Sequence, residues 1–507
     1  MKIAFRVDAS RIIGTGHVYR CLTLARRLGD EGAECHFVMR AFEGALFDLV
    51  EDAGFTAHRL PNVPLPAESE EPEEGHAHWL GMTEERDALE TGIVLAEIGH
   101  CDWLVIDHYA LDARWERRLR PHVDRILVID DLADRPHDCD LLLDQNLQEQ
   151  TDRYDGLLPA DSKALIGPSY ALLRREFAET RADGVRDYER PARNVLLFMG
   201  GVDLPGLTPL VLETIESLRT DDIQVHAVLG AGNPRLAEIE GEWSRRDWVK
   251  LYRAPTDLLG LMRVCDVAIG AGGTATWERC CFGLPMVIVS IATNQRQGAT
   301  AMSAHGAALY AGDFETLDQV GLAAAITLLL RNHWLRAAIG TAASALVDGK
   351  GADRVARAMR LRQVRIRPAA EADAEIMFLW RNAERTRRFM RDPDPIRRED
   401  HFAWLAKTLA SKHRDLLIGE TDQGPIGVVR FDREGKRAEV AIYLVPGREG
   451  KGAGSDLLNA ALLWLDRNRP ETQVVEAEIL EDNHASHHTF LTAGFQPFAR
   501  TYRRVRP

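Results

Sequence analysis

The chain has 507 residues, 45% of them hydrophobic and 28% charged, and this length predicts about three globular domains. Its formal net charge of −14 argues against a general nucleic-acid or anionic-membrane binder. The seven cysteines are odd in number and contain no CxxC pair, which favours reduced thiols in a cytoplasmic protein. Neither a signal peptide nor a bilayer-spanning apolar run is predicted, and no metal-ligand spacing stands out.

The first stretch with a chemical signature runs from Arg6 to Cys21 (RVDASRIIGTGHVYRC). Residues 1–7 are predicted as a buried strand, and the apolar residues after position 17 recur at helical spacing. Gly14 and Gly16 then lie in the strand-to-helix turn, and His17 stands at the start of the helix. The peptide dipoles there favour a neutral imidazole that could accept a proton from water. A tight turn followed by a packed or capping histidine fits the same pattern.

Short apolar runs alternate with helical or polar segments through residues 1–188, which predicts a mostly parallel sheet covered on both faces. Asp107-His108-Tyr109 and Asp130-Asp131 each follow a predicted strand, where open α/β sheets bind ligands. Such residues also satisfy turns, which fits Asp131 and Asp134 better than Asp107 and Tyr109. The proline- and glutamate-rich segment from Pro61 to Gly75 is predicted as an exposed loop.

Residues 189–362 form a second α/β half with two glycine-rich turns after strands, at Gly200-Gly201 and at Gly270–Gly273. Glycines allow close approach of a ligand, and the following helix offers free N–H groups to a diphosphate. Glu278, one turn into that helix, could accept hydrogen bonds from ribose hydroxyls. The pair of turns therefore favours a nucleotide diphosphate bound by this half.

Residues 363–507 change character, because short strands joined by tight turns predict an antiparallel meander. A glycine-rich turn from Pro446 to Gly454 then opens an amphipathic helix, and this is a second place where backbone N–H groups could bind an anion.

The motifs of the first 360 residues resemble those of the UDP-sugar hydrolase of pseudaminic acid biosynthesis. The matching motifs are Arg6-x-Asp8, Gly14-x-Gly16-His17-x-x-Arg20-Cys21, Asp107-His108-Tyr109, Gly167-x-x-Tyr170, Gly200-Gly201-x-Asp203 and Gly272-Gly273-Thr274-x-x-x-Glu278. The resemblance implies a GT-B-like pair of Rossmann-type domains, with the nucleotide bound by the second and the sugar acted on by His17. The candidate substrate-binding residues here are Arg6, Gly14, Gly16, Gly200, Gly201, Asp203, Gly272, Gly273, Thr274, Glu278, Asn294 and Gln295.

The last 145 residues resemble GNAT N-acetyltransferases, with Gly450–Gly454 at the pyrophosphate loop and Asn483 in a later motif. More narrowly, Trp380-Arg381-Asn382 and Glu399-Asp400-His401 are similar to the acetyltransferase that precedes the hydrolase in the same pathway. Two departures are Glu449, where many GNATs carry Arg or Gln, and Phe490, in the place of a tyrosine credited as general acid. The resemblance implies acetyl-CoA as co-substrate. It places acetyl-CoA on Leu444, Val445, Arg448, Gly450, Lys451, Gly452, Ala453, Gly454 and Asn483, and the sugar substrate on Trp380, Arg381, Asn382 and His401.

For hydrolysis, His17 is the candidate base towards water, with Asp8 or a backbone carbonyl fixing its tautomer. Tyr109 and Asn294 are predicted to line the sugar site, and backbone N–H groups at Gly201 and Gly273–Thr274 to stabilise departing UDP.

For acetyl transfer, Glu439 is the candidate base, and an exposed strand carboxylate is the alternative interpretation. His401, Asn483 and Tyr502 are alternatives for binding or proton delivery.

The predicted architecture is α/β, with Rossmann-type domains at 1–188 and 189–362 and a GNAT domain at 363–507. The predicted function is N4-acetylation of a UDP-4-amino sugar followed by removal of UDP, without metal, nucleic acid or membrane, and with the oligomeric state open. A GT-B glycosyltransferase and a nucleotide-sugar-binding scaffold with an inactive acetyltransferase domain are the alternatives.

Overall fold

The computed structural model describes residues 1–10, 12–62, 76–148, 150, 152–160, 162–181, 186–203, 205–218, 222–254, 257–360, 364–390, 392–421, 424–449, 452–480 and 482–498. The predicted loop from Pro61 to Gly75 lies almost wholly outside these residues. The chain divides into two compact units, Met1–Ala358 and Met359–Pro507.

The first half of the first unit is a doubly wound parallel sheet. Its strands are β1 (Lys2–Val7), β2 (Glu34–Arg40), β3 (Thr56–Leu60), β4 (Cys101–Asp107), β5 (Val123–Ile129), β6 (Leu141–Asp144) and β7 (Lys163–Ile166). Its helices are α1 (Gly16–Gly29), α2 (Phe47–Asp52), α3 (Glu84–Ile98), α4 (Ala113–Leu119) and α5 (Arg175–Arg181), with short 3-10 turns at Ala77–Leu80, Arg120–His122 and Pro168–Tyr170. In the described residues the strand order is β3-β2-β1-β4-β5-β6-β7, and all neighbours are parallel.

The second half of the first unit repeats this plan. Its strands are β8 (Asn194–Phe198), β9 (Gln224–Leu229), β10 (Val249–Arg253), β11 (Val267–Ala271), β12 (Met286–Ser290) and β13 (Leu309–Asp313). Its helices are α6 (Leu207–Leu218), α7 (Leu236–Trp243), α8 (Leu258–Val264), α9 (Ala275–Cys281), α10 (Thr293–Ala304), α11 (Gln319–Arg331), α12 (His333–Leu346) and α13 (Gly351–Arg360), with a 3-10 turn at Phe314–Thr316. The order β10-β9-β8-β11-β12-β13 is again wholly parallel within the described strands.

The two sheets explain why the apolar runs are continuous rather than alternating. Along β8, Val195 and Leu197 belong to one buried cluster and Leu196 belongs to another on the opposite face. A strand covered on both faces buries every side chain, so the sequence pattern lacks a polar face. The predicted pair of Rossmann-type sheets is confirmed.

Each sheet has a switch point between the two neighbouring strands at which the strand order reverses. Strand order reverses there, and the chain leaves the carboxyl ends of both strands in opposite directions, which opens a crevice. In the first sheet this point lies between β1 and β4, and in the second between β8 and β11.

The second unit has a mostly antiparallel sheet with helices on both faces. Its elements are β14 (Arg365–Pro368), α14 (Ala374–Asn382), α15 (Glu384–Arg387), α16 (Arg398–Leu409), β15 (Arg414–Thr421), β16 (Gly424–Glu434), β17 (Arg437–Leu444), α17 (Ala453–Asn468), β18 (Val474–Glu476) and α18 (His484–Thr492), with a 3-10 turn at Glu371–Asp373. Within the described residues the order is β14-β15-β16-β17-β18, antiparallel except for the parallel pair β17–β18. The predicted antiparallel meander is the β15–β16–β17 part of this sheet.

No helix in the described part of the chain combines the length and apolar character needed to cross a bilayer. All seven cysteines are buried free thiols.

Candidate active sites

The first switch point carries a buried histidine–carboxylate pair. His17 lies in the first turn of α1, directly after the turn that follows β1, and Asp107 is the last residue of β4. Their Nδ1 and Oδ1 atoms are 2.6 Å apart. Because a carboxylate oxygen can only accept, we assign the imidazole proton to Nδ1, which leaves Nε2 with a free electron pair.

Arg20 completes this group from the same helix. Its Nε and Nη2 donate to the two oxygens of Asp107, each at 2.6 Å. Burial alone would raise the pKa of Asp107, but the charge of Arg20 and the hydrogen bonds from Arg20 and His17 lower that pKa well below its usual range. Asp107 therefore stays ionised and can hold the His17 ring in one orientation.

The prediction that Asp8 fixes the His17 tautomer is wrong. Asp8 Oδ1 accepts from the backbone N–H of Arg40 at 2.7 Å and is also 2.7 Å from Arg6 Nη1, while its Oδ2 lies 3.3 Å from His108 Nε2. Arg6 also binds Asp87, and Arg6 and Asp8 are both fully buried. Arg6, Asp8 and Asp87 thus form a buried ion-pair network within the first half. Arg6 has no exposed surface, so the predicted contact between Arg6 and the substrate is not possible in this arrangement.

Tyr109 and Asp131 lie beside this group. The Tyr109 hydroxyl donates to Asp131 Oδ1 at 2.6 Å, and Asn146 Nδ2 donates to Asp131 Oδ2 at 2.8 Å. Burial and the charge of Asp131 raise the pKa of Tyr109 well above its usual value. Tyr109 thus stays a phenol held in place, and Asp131, for which a turn role fitted the sequence better, belongs to the site.

An aromatic cluster, consisting of His17, His76, Trp79 and Tyr109, covers one side of the histidine. The Tyr109 and Trp79 ring centroids lie 4.9 and 6.0 Å from that of His17, both edge-on. Trp79 stacks on Tyr109 at 5.4 Å, and His76 lies 4.7 Å from Trp79. The sequence interpretation missed Trp79 and His76, because no strand end or motif marks them.

The second switch point carries glycines. Gly200 and Gly201 follow β8, and Gly272 and Gly273 follow β11. A Cβ atom at Gly230, after the neighbouring β9, would lie 2.1 Å from the Gly201 carbonyl oxygen. Only glycine fits there, so the turns are packed backbone to backbone.

The two switch points face each other within the first unit. A Cβ atom at Gly16 would lie 3.7 Å from Thr274 Oγ1, and one at Gly201 would lie 3.0 Å from Thr15 Oγ1. The Gly14–His17 turn, in which Gly14 has a positive φ of 82°, therefore meets both glycine turns. His17 lies one residue from this meeting point and is 9% exposed.

The other predicted residues of the second half differ in how exposed they are and in whether their polar atoms already have partners. Glu278 is partly exposed, and burial raises its pKa to about 7. Gln295 packs against Gly272 and accepts from the backbone of Ile291 at 3.2 Å, while Asn294 is exposed. Asp203 caps α6 by accepting from Leu207 N at 2.9 Å and from Thr208 Oγ1 at 2.6 Å, so its carboxylate is already used.

In the second unit, β17 and β18 separate after a short contact. Their pairing covers only Arg437–Glu439 on β17, whereas β17 continues to Leu444. Leu444 therefore lies beyond the part of β17 that pairs with β18, and Val445 follows the end of the strand. Gly452 precedes α17 with a positive φ of 79°, and Ala453 and Gly454 form the first turn of that helix. Gly450 and Lys451 lie outside the described residues, as does Tyr502.

The remaining residues predicted to bind acetyl-CoA have local contacts. Val445 donates its N–H to Ile426 and accepts from Arg448 N at 3.0 Å. Asn483 caps α18 by accepting from Ser486 N at 3.1 Å. Phe490 is buried in the core, packed edge-on against Phe495, and carries no transferable proton.

The residues of this unit that were predicted to bind the sugar differ in how available their side chains are. Trp380 packs on the same face of the sheet as Tyr443, and Arg381 is near enough to counter the burial that raises the pKa of Tyr443. The Asn382 side chain donates from Nδ2 to the Ile396 carbonyl and accepts from the Ile396 N–H through Oδ1. His401 is 3% exposed. It packs among Phe378, Phe402 and Trp404.

Burial lowers the pKa of His401, which keeps it neutral in the core. Glu439 is exposed on β17 and alternates with Val440, so its side chain shares the face of Tyr443. Within the described residues, no group of three His, Cys, Asp or Glu side chains could hold a metal ion.

Comparison with known proteins gives one family match and several relatives. Residues 363–496 match the family model of the acetyltransferase (GNAT) domain. The chain is 25% identical over 308 residues to the UDP-2,4-diacetamido-2,4,6-trideoxy-β-L-altropyranose hydrolase of Campylobacter jejuni, a match that covers 60% of this chain and 97% of that protein. The predicted joining of a segment similar to this hydrolase to a GNAT domain is confirmed.

Two further relatives differ in extent. The chain is 29% identical over 190 residues to the spore coat polysaccharide biosynthesis protein SpsG of Bacillus subtilis, covering 37% of this chain and 56% of that protein. It is 22% identical over 522 aligned positions to the uncharacterized protein MJ1062 of Methanocaldococcus jannaschii, covering 98% and 97%. The match to the archaeal protein runs through both units.

Proposed function

We propose that the chain is a bifunctional enzyme acting on a UDP-linked amino sugar. The second unit transfers an acetyl group from acetyl-CoA to the 4-amino group of a UDP-4-amino-4,6-dideoxy-N-acetyl-altrosamine. The first unit then hydrolyses the resulting UDP-2,4-diacetamido-2,4,6-trideoxy-altropyranose to UDP and the free sugar. The similarity to the Campylobacter hydrolase and the GNAT match support this pairing.

One observation carries the hydrolytic half of the proposal. The Asp107-held imidazole at one switch point lies beside the glycine turns of the other, within one compact unit. Backbone N–H groups at Gly201 and Gly273 would bind the diphosphate, and Glu278 would accept from the ribose hydroxyls. This arrangement would place the anomeric carbon near His17.

In the hydrolytic step, a water oxygen attacks the anomeric carbon while His17 Nε2 takes its proton. The bond from that carbon to the phosphate oxygen breaks, and its electron pair leaves with UDP. Arg20 keeps Asp107 ionised, and Asp107 stabilises the imidazolium that forms. Because a diphosphate is a good leaving group, backbone N–H groups would suffice to stabilise it.

In the acetyl-transfer step, the splayed end of β17 would align the pantetheine arm of acetyl-CoA. The start of α17 at Gly452 would receive the pyrophosphate. The neutral amine attacks the thioester carbon and expels CoA as the thiolate, with Glu439 taking the proton directly or through water. Trp380 packs against the same apolar cluster as Tyr443, and Arg381 lies near Tyr443, so both would contact a substrate bound on this face of the sheet.

The decisive experiment follows CoA and UDP separately. Purified protein is incubated with acetyl-CoA and the UDP-4-amino sugar, and we expect CoA to appear first and UDP after it. His17→Gln should reduce UDP release by about 10²- to 10⁴-fold and leave CoA release unchanged. His100→Gln, at a histidine on the surface of the same half, is the matched control.

Each alternative gives a different result. UDP release that requires an added acceptor would identify a glycosyltransferase, and binding without release of either product would identify a scaffold. A His17→Gln protein that folds normally and hydrolyses at the wild-type rate would remove the role of His17.

Glu439 is tested by the pH dependence of CoA release. A general base must be ionised, so the rate should rise with pH on the acid side of the profile. Glu439→Gln should lower the rate and remove that rise, whereas Glu476→Gln on the neighbouring strand should keep it. An unchanged profile in Glu439→Gln would exclude this base.

A further inference from the structure

Arg279 is a buried cation beside the glycine turn that follows β11. It lies on α9 and is 3% exposed. Its Nη2 donates to the Ala271 carbonyl oxygen at 2.6 Å and to Thr276 Oγ1 at 3.2 Å, and its Nε donates to the Ala275 carbonyl oxygen at 3.1 Å. These acceptors are neutral, so the hydrogen bonds fix the guanidinium without cancelling its charge.

The charge of Arg279 is poorly compensated by its surroundings. Burial lowers its pKa to about 10, because the cation loses solvation in the interior. Of the neighbouring groups, Cys280 and Glu278 offset burial only in part. Among the described residues no carboxylate accepts a hydrogen bond from the guanidinium, whose bonds all go to neutral oxygens. At neutral pH Arg279 is therefore a cation without a bound anion.

The guanidinium lies at the second switch point. A Cβ atom at Gly270 would lie 2.6 Å from Arg279 Nη1 and 2.5 Å from the Phe198 carbonyl oxygen. Phe198 ends β8, and Gly270 is the last but one residue of β11. Nη1 makes no hydrogen bond with the described residues, so this end of the side chain is held beside both strand ends without a polar partner.

One peptide group connects Arg279 with the glycine turn. The Ala271 carbonyl that accepts from Arg279 belongs to the same peptide as the Gly272 N–H. The carbonyl and the N–H of a trans peptide point in opposite directions, so this N–H points away from the guanidinium. No described backbone carbonyl accepts from the N–H of Gly272 or Gly273. Because a donor on the carbonyl polarises the whole peptide, it also strengthens the hydrogen bond that the N–H can give to an anion.

We propose that Arg279 supplies the positive charge by which this turn binds the diphosphate of UDP in preference to a neutral group. It acts through the peptide between Ala271 and Gly272 and through its field, without touching the ligand. The proposal rests on the hydrolase function proposed above, because it concerns the nucleotide bound at the glycine turns. A phosphate on the Gly272 N–H would lie about 8 Å from the guanidinium, where one charge changes an affinity by about 30-fold at an effective dielectric constant of about 20.

The test compares how strongly UDP, UMP and uridine inhibit formation of the free sugar from UDP-2,4-diacetamido-2,4,6-trideoxy-altropyranose. Inhibition of this reaction reports on the hydrolytic site alone. Arg279→Gln keeps a donor for a backbone carbonyl but removes the charge, so the inhibition constant of UDP should rise by about 10- to 30-fold. The constant of UMP should rise less, and that of uridine by about 2-fold or less, because uridine carries no charge.

Three further variants separate charge from support of the fold. Arg279→Lys keeps the charge and should hold the ratio of the uridine and UDP constants within about 3-fold of the wild-type ratio. Arg279→Met fills a similar volume and replaces Arg279→Gln if that protein does not fold. Arg336→Gln, on α12, is the matched control and should leave the ratio unchanged. Arg336 is also 3% exposed, and it donates to the backbone carbonyls of Tyr188, Arg190, Leu329 and Leu330.

The possible failures are distinguishable. Equal increases for all three inhibitors in Arg279→Gln would mean that Arg279 merely supports the turn, and no increase would mean that its charge does not act on the ligand. Either result would overturn the proposal while leaving hydrolysis intact, as would an equal change of the ratio in Arg336→Gln. Absence of sugar formation in the wild type would overturn the hydrolase function and this inference with it.

Discussion

The two parallel sheets of the first unit share the same order over their first six strands, and the first sheet adds a seventh, but they carry different groups at their switch points. Between β1 and β4 lie a histidine, a carboxylate and an arginine joined by bonds of 2.6 Å. Between β8 and β11 lie glycine turns packed so closely that a Cβ atom at Gly230 would meet backbone. The proposed function assigns a proton acceptor to the first crevice and peptide N–H donors to the second.

This difference would separate the two demands of the proposed nucleotide-sugar hydrolysis. Deprotonating water needs a side chain whose orientation is fixed, and Asp107 supplies that constraint. Binding a diphosphate needs several donors converging on a small volume, which a backbone without side chains provides. The comparison predicts that changes at the first switch point alter kcat and changes at the second alter the affinity for UDP.

The largest effect is expected for Asp107→Asn. The amide can neither stabilise an imidazolium nor pair with Arg20, so UDP release should fall by about 10²- to 10⁴-fold in kcat. Breaking a buried ion pair should also cost about 3–5 kcal/mol in the free energy of unfolding, measured by urea denaturation.

Asp203→Asn is the matched control at the second switch point. Asparagine tolerates the positive φ of 49° at this position, and its Oδ1 can still accept from Leu207 N. Its Nδ2 cannot accept from Thr208 N, so the free energy of unfolding should fall by about 1–3 kcal/mol while kcat remains close to wild type. If Asp203→Asn lost as much kcat as Asp107→Asn, the assignment of catalysis to the first crevice would be wrong.

A smaller effect, on the affinity for UDP rather than on kcat, is expected for Gly230→Ala. The new methyl group must displace the Gly201 carbonyl and with it the N–H groups of that turn. Loss of one hydrogen bond to a charged phosphate costs about 1.5–3 kcal/mol, so UDP should bind roughly 10- to 150-fold more weakly by calorimetry. At saturating substrate, kcat should change little.

Gly241→Ala tests whether any added methyl group has this effect. A Cβ atom there meets nothing within 4 Å, and α7 accepts alanine well. A large fall in kcat for Gly230→Ala with unchanged affinity for UDP would contradict the division of roles.

The sequence predicts the two sheets better than it predicts which side chains meet at their switch points. Apolar runs predict a mostly parallel sheet in the first half and a second α/β half after it, and the structure contains both. Strands β7 and β18 are largely exposed, so no continuous apolar run in the sequence marks them. Glycine turns after β8 and β11 are local signals, so the second switch point was predictable.

The first switch point depends on contacts between distant parts of the chain. His17 and Asp107 are 90 residues apart, and Asp8 was the nearer carboxylate in sequence. Only the strand order, with β4 beside β1, shows that Asp107 reaches the ring while Asp8 turns to Arg6 and Arg40. Asp131 and Trp79 also reach the site through contacts between distant parts of the chain, and no local sequence pattern indicates them.

The smallest effect is a pH dependence confined to the second crevice. Burial raises the pKa of Glu278 to about 7, from an ordinary value of 4.5, so the folded free protein holds a proton that the unfolded chain releases. Its contribution to stability therefore falls as the pH rises from about 4.5 to 7. Ribose hydroxyls that donate to this carboxylate would favour its ionised form, so UDP binding should release a proton near pH 7.

The affinity for UDP should consequently rise by about 3- to 10-fold between pH 6 and pH 8, beyond the change caused by titration of UDP itself. Glu278→Gln isolates that background, because the amide does not titrate, and the difference between the two proteins gives the Glu278 contribution. Calorimetry in two buffers of different ionisation enthalpy would detect proton release in the wild type and less in Glu278→Gln. The same pH difference in both proteins would show that the ribose does not bind at Glu278, and the nucleotide would then have to approach His17 from another part of the glycine turns.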